Sequence, residues 1–421
     1  MAIIQLKSSH PQFSFLMKKN PNSGMQLRAI RKGMGYGWYS DDCTYNVYFK
    51  DASNEISYKQ DEHEQFEYLN VSRYNTPLFP LSAINEFLSY PMKVQDERDV
   101  VGYTHSFFIN MIHIDRVQYI EFFEKHVPEC SFEIRHYAHK SYALTVTTQT
   151  SLYHLLHVVS VLCLFLSLFG KEYLDISDDV LSKYSKSINI IDAPFYIRNL
   201  FVRNFLSSKE RYKKYKAALE KTDRYEIKFD FGGTALQRRN YIAGLLPFNK
   251  SIVDIGCGEG YYALSYASKI EDMYYAIDIN EELLEIVQRK AISKQVDHIA
   301  TFSSLDRFVE QYNGEQVDII LTEVIKHMSE VEAEQFIRHI CTQLNFEQFI
   351  ITTPNQDFNI YYAIEEFRHD DHRWEMGEEA FQYWMQSIAK DMNLEYEFLS
   401  IGDRVNSICT TQGVIFKRKE A

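Results

Sequence analysis

Residues 251–260 read SIVDIGCGEG, an apolar run that leads into an aspartate and three alternating glycines. The apolar run predicts a buried β-strand, and the apolar residues that follow Gly260 predict a helix. Glycines between a strand and a helix let the backbone turn tightly and approach a ligand where side chains would not fit. This D-x-G-x-G-x-G spacing differs from the G-x-G-x-x-G of dinucleotide sites. The stretch therefore predicts a Rossmann-like unit whose loop binds a ligand.

Strands and helices alternate in the rest of the C-terminal half. We predict strands at residues 251–255, 273–277, 317–321 and 349–353, with helices such as 281–291 and 330–344 between them. Apolar strands that alternate with helices form a parallel sheet covered on both faces, and ligands bind outside the carboxyl ends of its strands. The predicted fold class is therefore α/β, with a Rossmann-like, mostly parallel sheet in this half.

A cofactor site is predicted at the first two of these strands. The glycine loop resembles motif I of the class I S-adenosylmethionine methyltransferases. The second strand ends in Asp278, twenty residues past Gly258, where a carboxylate can accept hydrogen bonds from the ribose hydroxyls of an adenosyl group. We therefore expect Asp254, Gly256, Gly258, Gly260 and Asp278 to bind S-adenosylmethionine, and a side chain at Gly256 or Gly258 to fill the space of the ligand.

The length of 421 residues indicates two domains. Short aromatic runs at residues 45–50 and 66–71 predict strands, and a helix is expected after Pro80. A Gly-Gly-Thr break at residues 232–234 precedes the alternating pattern. We predict an α+β domain over residues 1–222, which binds and activates a partner, and a methyltransferase domain over residues 223–421.

The run from Ser151 to Gly170 is long enough to span a membrane, which takes about 20 apolar residues. His154 and His157 lie one turn apart on one face, serines dilute the run, and no aromatic-basic belt flanks both ends. We therefore predict a helix buried in the N-terminal domain, hydrogen-bonded histidines and no membrane contact.

Charge and cysteine content limit the range of functions. A net charge of −13 argues against indiscriminate duplex binding, because that affinity comes from neutralising phosphates. Contact with nucleic acid must then be local, and the basic stretch at residues 198–228 is either a solvated helix face or an RNA path. The six cysteines are scattered without C-x-x-C pairs, and no secretory leader is recognised, which predicts a cytoplasmic protein.

Two clusters of titratable side chains follow the later strands. TEVIKH at residues 322–327 brings Glu323, Lys326 and His327 to one face if a helical turn begins there. The stretch FRHDDHRWE at residues 367–375 comes after the next strand. Because the carboxyl ends of parallel strands share one sheet edge, we expect the two clusters to meet.

At these positions the sequence resembles the Hen family of RNA 3′-terminal ribose 2′-O-methyltransferases. Family members carry E-x-x-E-H, T-P-N and R-x-x-D-H-x-F-E-W; this chain reads EVIKH at 323–327, TPN at 353–355 and RHDDHRWEM at 368–376. CTTQGVIF at 409–416 is similar to the last strand of the family. The resemblance spans residues 225–421, and the N-terminal half, with TPLFPLSAINEFL at 76–88, resembles the extra domain of bacterial members.

The resemblance implies a divalent metal, Mn²⁺ or Mg²⁺, held by two glutamates and two histidines at the terminal ribose hydroxyls. Glu323, His327 and His372 match ligand positions, whereas Lys326 stands where the family has glutamate. Lysine adds positive charge and coordinates a metal only when it is neutral.

Three explanations of this departure are open. A neighbour such as His369 or Asp370 fills the vacancy, Lys326 is a desolvated base in a metal-free variant, or catalysis has been lost. The predicted catalytic residues are Glu323, Lys326, His327 and His372.

The resemblance further implies methylation of the 2′-hydroxyl at an RNA 3′ end during bacterial RNA repair. The implied partner is a polynucleotide kinase-phosphatase with ligase activity, which the N-terminal domain contacts in a hetero-oligomer. Two alternatives remain: a non-catalytic subunit that binds RNA ends as a scaffold, and a methyltransferase that acts on a small molecule or a protein.

Overall fold

The computed structural model describes residues 2–30, 33–51, 58–59, 68–69, 74–170, 172, 174, 177–362, 364 and 367–419. The chain forms two compact units. The first comprises Met1–Arg198 and Ala217–Thr222, and the second comprises Asn199–Lys216 and Asp223–Ala421.

The first unit contains a seven-stranded antiparallel sheet with the order β2-β3-β4-β1-β7-β9-β8. Strands β5 and β6 form a separate antiparallel pair. Strand β6 includes part of the strand predicted at 66–71, and residues 66–67 and 70–71 of that prediction lie outside the described residues. The strands are β1 (Ala2–Ser8), β2 (Gln26–Ile30), β3 (Gly33–Asp41), β4 (Thr44–Asp51), β5 (Tyr58–Lys59), β6 (Tyr68–Leu69), β7 (His105–His113), β8 (Cys130–Ala138) and β9 (Ser141–Thr148).

Helices follow and interrupt these strands. They are α1 (Phe13–Met17), α2 (Leu78–Phe87), α3 (Ser89–Lys93), α4 (Gln118–His126), α5 (Leu152–Phe169), α6 (Asp178–Ile190), α7 (Phe195–Phe205) and α8 (Lys209–Glu220). The helix expected after Pro80 is α2, which already begins at Leu78, two residues before that proline. The division between the units falls within α7 and again within α8.

Helix α5 is the apolar run that raised the membrane question. By length and composition it could cross a membrane, but 78% of it is buried in the structure, as expected of a core helix. Ser151 and Asp99 accept hydrogen bonds from backbone N–H groups of its first turn, which would otherwise lack partners. His154 bonds Glu129 and His157 bonds Ser187, each at 2.8 Å, so both histidines are hydrogen-bonded as predicted.

The second unit contains an eight-stranded sheet with the order β10-β16-β17-β15-β14-β11-β12-β13. The five strands from β15 to β13 run parallel, and β17, β16 and β10 continue the sheet antiparallel. This confirms the predicted α/β class. The strands are β10 (Ile227–Lys228), β11 (Ile252–Ile255), β12 (Tyr274–Ile277), β13 (Ile299–Phe302), β14 (Val317–Thr322), β15 (Phe346–Pro354), β16 (Leu394–Val405) and β17 (Ile408–Arg418).

Both faces of this sheet are covered. Val253 and Ile255 of β11 belong to one apolar cluster and Ile252 to another, because successive side chains of a strand point to opposite faces. The covering helices are α9 (Thr234–Leu245), α10 (Ala263–Tyr266), α11 (Glu281–Ser293), α12 (Leu305–Val309), α13 (Glu330–Gln343) and α14 (Glu378–Asp391). A capping box between Ser329 and Glu332 starts α13 just after the TEVIKH segment and so fixes where that segment ends.

Candidate cofactor and substrate sites

The candidate sites lie at the carboxyl ends of the parallel strands. Strand β11 pairs with β12 on one side and with β14 on the other, so the strand order reverses between β11 and β14. Such a reversal opens a crevice that binds ligands in α/β sheets. The glycine loop follows β11, Asp278 follows β12 and Glu323 follows β14.

The glycine loop is held by backbone hydrogen bonds to the neighbouring strand. The N–H groups of Gly256 and Cys257 both donate to the carbonyl of Ile277, at 2.8 and 3.0 Å. The N–H of Gly258 donates to the carboxylate of Asp278 at 2.8 Å. These three hydrogen bonds join the loop to the end of β12 and to the acid that follows it.

The glycines of the loop are required for different reasons. Gly256, Gly258 and Gly260 have φ angles of +75°, +52° and +76°, which side chains disfavour. A Cβ atom at Gly256 would lie 2.2 Å from Cγ2 of Val324, so protein packing disfavours a side chain there, and the contact of Gly256 with the ligand stays a prediction. A Cβ atom at Gly258 would have no atom within 4 Å among the described residues. The open space needed by a ligand is therefore at Gly258.

The two acids of the cofactor site differ in exposure. Asp278 accepts hydrogen bonds from the N–H groups of Gly258 and Asn280 and is followed by Ile279, whose side chain is 89% exposed. Asp254 is fully buried beneath the loop, where Tyr274 donates a hydrogen bond to it at 2.8 Å. Burial raises the pKa of Asp254 to about 7. Asp278 is therefore placed for a ligand, whereas Asp254 supports the loop from below.

Glu323 lies between two cations at the end of β14. One carboxylate oxygen is 3.1 Å from Nη1 of Arg238, and the other is 2.8 Å from Nζ of Lys326. Burial opposes ionisation of Glu323, but the charges of Arg238 and Lys326 outweigh it and hold the pKa of this carboxyl below its ordinary value. Its φ of +63° is uncommon for a residue other than glycine. The predicted helical turn is a short 3₁₀ turn over Ile325–His327.

His372 is oriented by a buried carboxylate. Its Nδ1 atom lies 2.6 Å from Glu375, and both side chains are almost fully buried. Burial lowers the pKa of His372, so the ring is neutral. Because the Glu375 carboxylate can only accept, Nδ1 carries the proton and Nε2 keeps a free lone pair. Histidines that bind metals are held in this way.

Glu375 is itself fixed by a buried polar network. Asn359 donates to it at 2.7 Å, and the backbone N–H of Arg368 donates at 2.8 Å. The Arg368 guanidinium donates to Asn359 and to the backbone carbonyls of Asn355 and Thr410. This network anchors the segment that carries His372 to the ends of β15 and β17.

The two sequence clusters meet, as expected. The rings of His327 and His372 have centroids 5.3 Å apart, and the backbone N–H of Arg373 donates to the carbonyl of Lys326 at 2.8 Å. His327, Asp371 and His372 place their ligand atoms within 4.8 Å of one another. Imidazole and carboxylate donors suit a divalent cation, so these residues fit the implied metal chemically. The assignment of Glu323 as a metal ligand stays a prediction.

Several residues of the site were missed by sequence reasoning. Arg238 comes from α9, far from either motif, and no local signal marked it. The network behind His372 consists of Arg368, Asn359 and Glu375. The stretch at 368–376 contains Arg368 and Glu375, but the sequence-based prediction gave roles only to its histidines and aspartates. Asp371, rather than His369 or Asp370, belongs to the cluster with the two histidines.

Comparisons with known proteins cover both halves of the chain. A family model described as "Hen1 N-terminal domain" matches residues 3–224, and one described as "Methyltransferase domain" matches residues 252–346. A small RNA 2′-O-methyltransferase of Caenorhabditis elegans is 27% identical over 197 residues, and one of Gallus gallus is 25% identical over 187 residues. Each alignment covers 40% of this chain, and 45% and 49% of these relatives. The chain thus spans about half the length of the curated relatives it matches.

A similar solved structure covers the whole chain. It is a chain of the structure titled "Structure of the Pnkp1/Rnl/Hen1 RNA repair complex", with a TM-score of 0.80 and 25% identity over 99% of this chain and all of that one. A second structure of a Pnkp1/Rnl/Hen1 complex has a TM-score of 0.79 at the same identity and coverage. Since the Hen1 N-terminal model matches more than half of its residues, the chain belongs to the Hen1 family.

Proposed function

We propose that this protein transfers the methyl group of S-adenosylmethionine to the 2′-hydroxyl of the terminal ribose at an RNA 3′ end. The observation that carries the proposal is the convergence of two sites at one sheet edge. The glycine loop with Asp278 lies on one side of the β11–β14 crevice, and the histidine pair His327 and His372 follows β14 and β15. The small RNA 2′-O-methyltransferases that resemble this chain support the choice of reaction.

The cofactor half of the crevice fits an adenosyl group. Asp278 can accept hydrogen bonds from the two ribose hydroxyls while it keeps its bond to the loop. The exposed Ile279 side chain offers an apolar surface for an adenine ring. Gly258 leaves the space through which the ligand approaches the loop.

The substrate half fits a divalent cation with two hydroxyls bound to it. When bound, such a cation lowers the pKa of a coordinated hydroxyl, which makes its oxygen a better nucleophile. His372 presents Nε2 because Glu375 holds its other nitrogen, and His327 is 40% exposed beside it. Mn²⁺ or Mg²⁺ is the proposed ion, and His327 and His372 would hold it.

Lys326 has a defined partner in this site. Its ammonium group is paired with the Glu323 carboxylate at 2.8 Å and is mostly buried. A charged lysine cannot accept a proton, so this pairing argues against Lys326 as a general base. We infer that Lys326 positions Glu323.

We further propose that the N-terminal unit binds an RNA repair enzyme. The relative that covers the whole chain was solved with Pnkp1 and Rnl in a complex described as acting in RNA repair. A cytoplasmic hetero-oligomer with a polynucleotide kinase-phosphatase and ligase is the form we expect.

One assay separates this function from its alternatives. Full-length protein is incubated with methyl-labelled S-adenosylmethionine, Mn²⁺ and a short RNA that ends in free 2′- and 3′-hydroxyls. Label should enter this RNA but not a matched RNA with a 2′-deoxy terminus. RNA binding without label in either RNA would instead indicate a scaffold subunit. Equal labelling of both RNAs would contradict the terminal 2′-hydroxyl as the target, and labelling of a protein or small molecule alone would indicate another methyltransferase class.

A further inference from the structure

We propose that Asp371 supplies the carboxylate ligand of the metal site, in place of the glutamate that Lys326 has replaced. The metal would then be held by His327, Asp371 and His372. The inference rests on the proposed function, because it names the ligands of the same site. It departs from the ligand set that the resemblance implies, since Glu323 is not one of the three.

The first argument is the geometry of the three side chains. Their ligand atoms lie within 4.8 Å of one another, close enough for one ion to contact all three. A carboxylate oxygen of Asp371 is 3.3 Å from Nδ1 of His327. The same nitrogen lies 3.3 Å from the backbone carbonyl oxygen of Asp371, so the carboxylate distance alone does not show that Asp371 is a ligand.

The second argument is the orientation of His372. Its Nδ1 atom is committed to Glu375, and this carboxylate is in turn held by Asn359 and Arg368. This support fixes the ring so that Nε2 points away from Glu375 with its lone pair available. A chain of carboxylate, imidazole and metal is the usual arrangement around a bound ion, and it presets Nε2 for coordination.

The charge of Glu323 is already neutralised by Arg238 and Lys326. Arg238 and Lys326 contact its two oxygens, at 3.1 and 2.8 Å, and Thr352 lies 3.4 Å from one of them. A cation that recruited Glu323 would have to displace a buried ion pair, which leaves an uncompensated charge. Asp371 has no comparable cost, because among the described residues its ion-pair partner is a histidine, His327, rather than an arginine or a lysine.

The cluster of His327, Asp371 and His372 is open to solvent on one side. His372 is buried at the base of the cluster, while the side chains of His327 and Asp371 are 40% and 70% exposed. An ion bound by these three groups would keep coordination positions open towards solvent. Metal sites that act on a substrate need such positions, and two are required for the two ribose hydroxyls.

The test measures Mn²⁺ binding by the full-length protein without RNA or S-adenosylmethionine, using electron paramagnetic resonance of the free ion and titration calorimetry. Asp371→Asn should weaken binding at least about tenfold, since even indirect partners of a metal are worth about 10- to 100-fold. The matched control is Asp370→Asn, which removes the same charge one residue away, outside the cluster, and should change affinity less than about twofold. Asp371→Glu, which keeps a carboxylate, should retain more affinity than Asp371→Asn.

Equal Mn²⁺ affinities of Asp371→Asn and Asp370→Asn would overturn the assignment of Asp371 as a metal ligand. Wild-type protein that binds no Mn²⁺ at millimolar concentration would overturn it as well. Asp371 is largely exposed, so its replacement removes no core packing, and matching thermal unfolding curves would verify this. Failure of the proposed function is seen separately: Asp371-dependent Mn²⁺ binding without RNA methylation would leave the ligand assignment standing and remove the reaction.

Discussion

The cofactor loop and the substrate pocket lie at the same sheet edge but are built differently. In the loop, backbone N–H groups and glycine conformations create the site, and the neighbouring strand fixes it through Ile277 and Asp278. In the pocket, side chains from three separate segments create the site, among them Arg238, Lys326, His327 and His372. A site made of backbone allows few changes, whereas a site made of side chains can exchange one ligand for another.

This contrast explains where the chain follows the family pattern and where it departs. The loop retains its acid and its three glycines, because each conformation or contact depends on that residue type. In the pocket, Lys326 stands where the resemblance implies glutamate, and its charge is paired with Glu323.

The largest effect is expected for His372→Ala, which removes the oriented imidazole from the pocket. RNA methylation should fall at least about 100-fold, because loss of indirect metal partners alone costs about 10- to 100-fold. Initial rates with saturating Mn²⁺ measure this. The control is His369→Ala, an exposed neighbour with its ring 5.2 Å away, which should lose less than about threefold. Similar losses in both variants would remove the special role of His372.

Gly256→Ala tests whether packing, rather than the ligand, requires the first glycine. A Cβ atom 2.2 Å from Val324 and a φ of +75° should together destabilise the fold by about 2–4 kcal/mol. Gly258→Ala has the same backbone penalty but open space, so it should cost only about 1–2 kcal/mol while it weakens S-adenosylmethionine binding. Urea unfolding without ligand compares the two, and equal losses of stability would contradict this division.

Asp278→Ala tests the cofactor contact directly. Removal of a charge-assisted hydrogen bond should weaken S-adenosylmethionine binding at least about tenfold, or about 1.4 kcal/mol. Titration calorimetry measures this. Asp272→Ala serves as the control, because Asp272 is exposed just before β12 at its opposite end. Unchanged affinity in Asp278→Ala would remove Asp278 from the site.

Lys326→Glu should restore the family residue and raise both Mn²⁺ affinity and methylation several-fold, because an ammonium near the site repels a cation. Wild-type activity should accordingly be low or need high Mn²⁺. Lys294→Glu makes the same change of charge at an exposed position and should have little effect on Mn²⁺ affinity or methylation. If the wild type instead methylates fully in chelator and Lys326→Glu abolishes activity, Lys326 is a catalytic base and the metal proposal fails.

The smallest effect concerns Asp254 beneath the loop. Its pKa in the folded protein is about 7, above its ordinary value of 3.8, because burial favours the protonated form. Its contribution to stability is therefore complete below about pH 4 and is lost as the pH rises through 7. The stability of the wild type relative to Asp254→Asn should fall between about pH 4 and pH 7 in urea unfolding. A difference that is constant with pH would show that Asp254 does not titrate there.

Much of the fold and half of the site could be predicted from the sequence. The strands before Gly256, Asp278 and Glu323 are continuous apolar runs, and their carboxyl ends had to meet once the sheet was parallel. Arg238 could not be predicted, because its contact with Glu323 depends on how α9 packs against the sheet. The sequence also could not predict which of Asp370, Asp371 and His369 joins the two histidines, because the loop conformation decides which of these adjacent side chains faces His327.

Helix α5 has a consequence for how the chain is synthesised. A segment this apolar can be recognised by the membrane-insertion machinery while it is still unfolded. However, its partners α2, β7 and β9, and the rest of the seven-stranded sheet, precede it in the chain, whereas its partner α6 follows it. Because synthesis proceeds from the N-terminus, most of these partners are already present when α5 emerges. The order of these elements therefore shortens the time for which the helix is exposed.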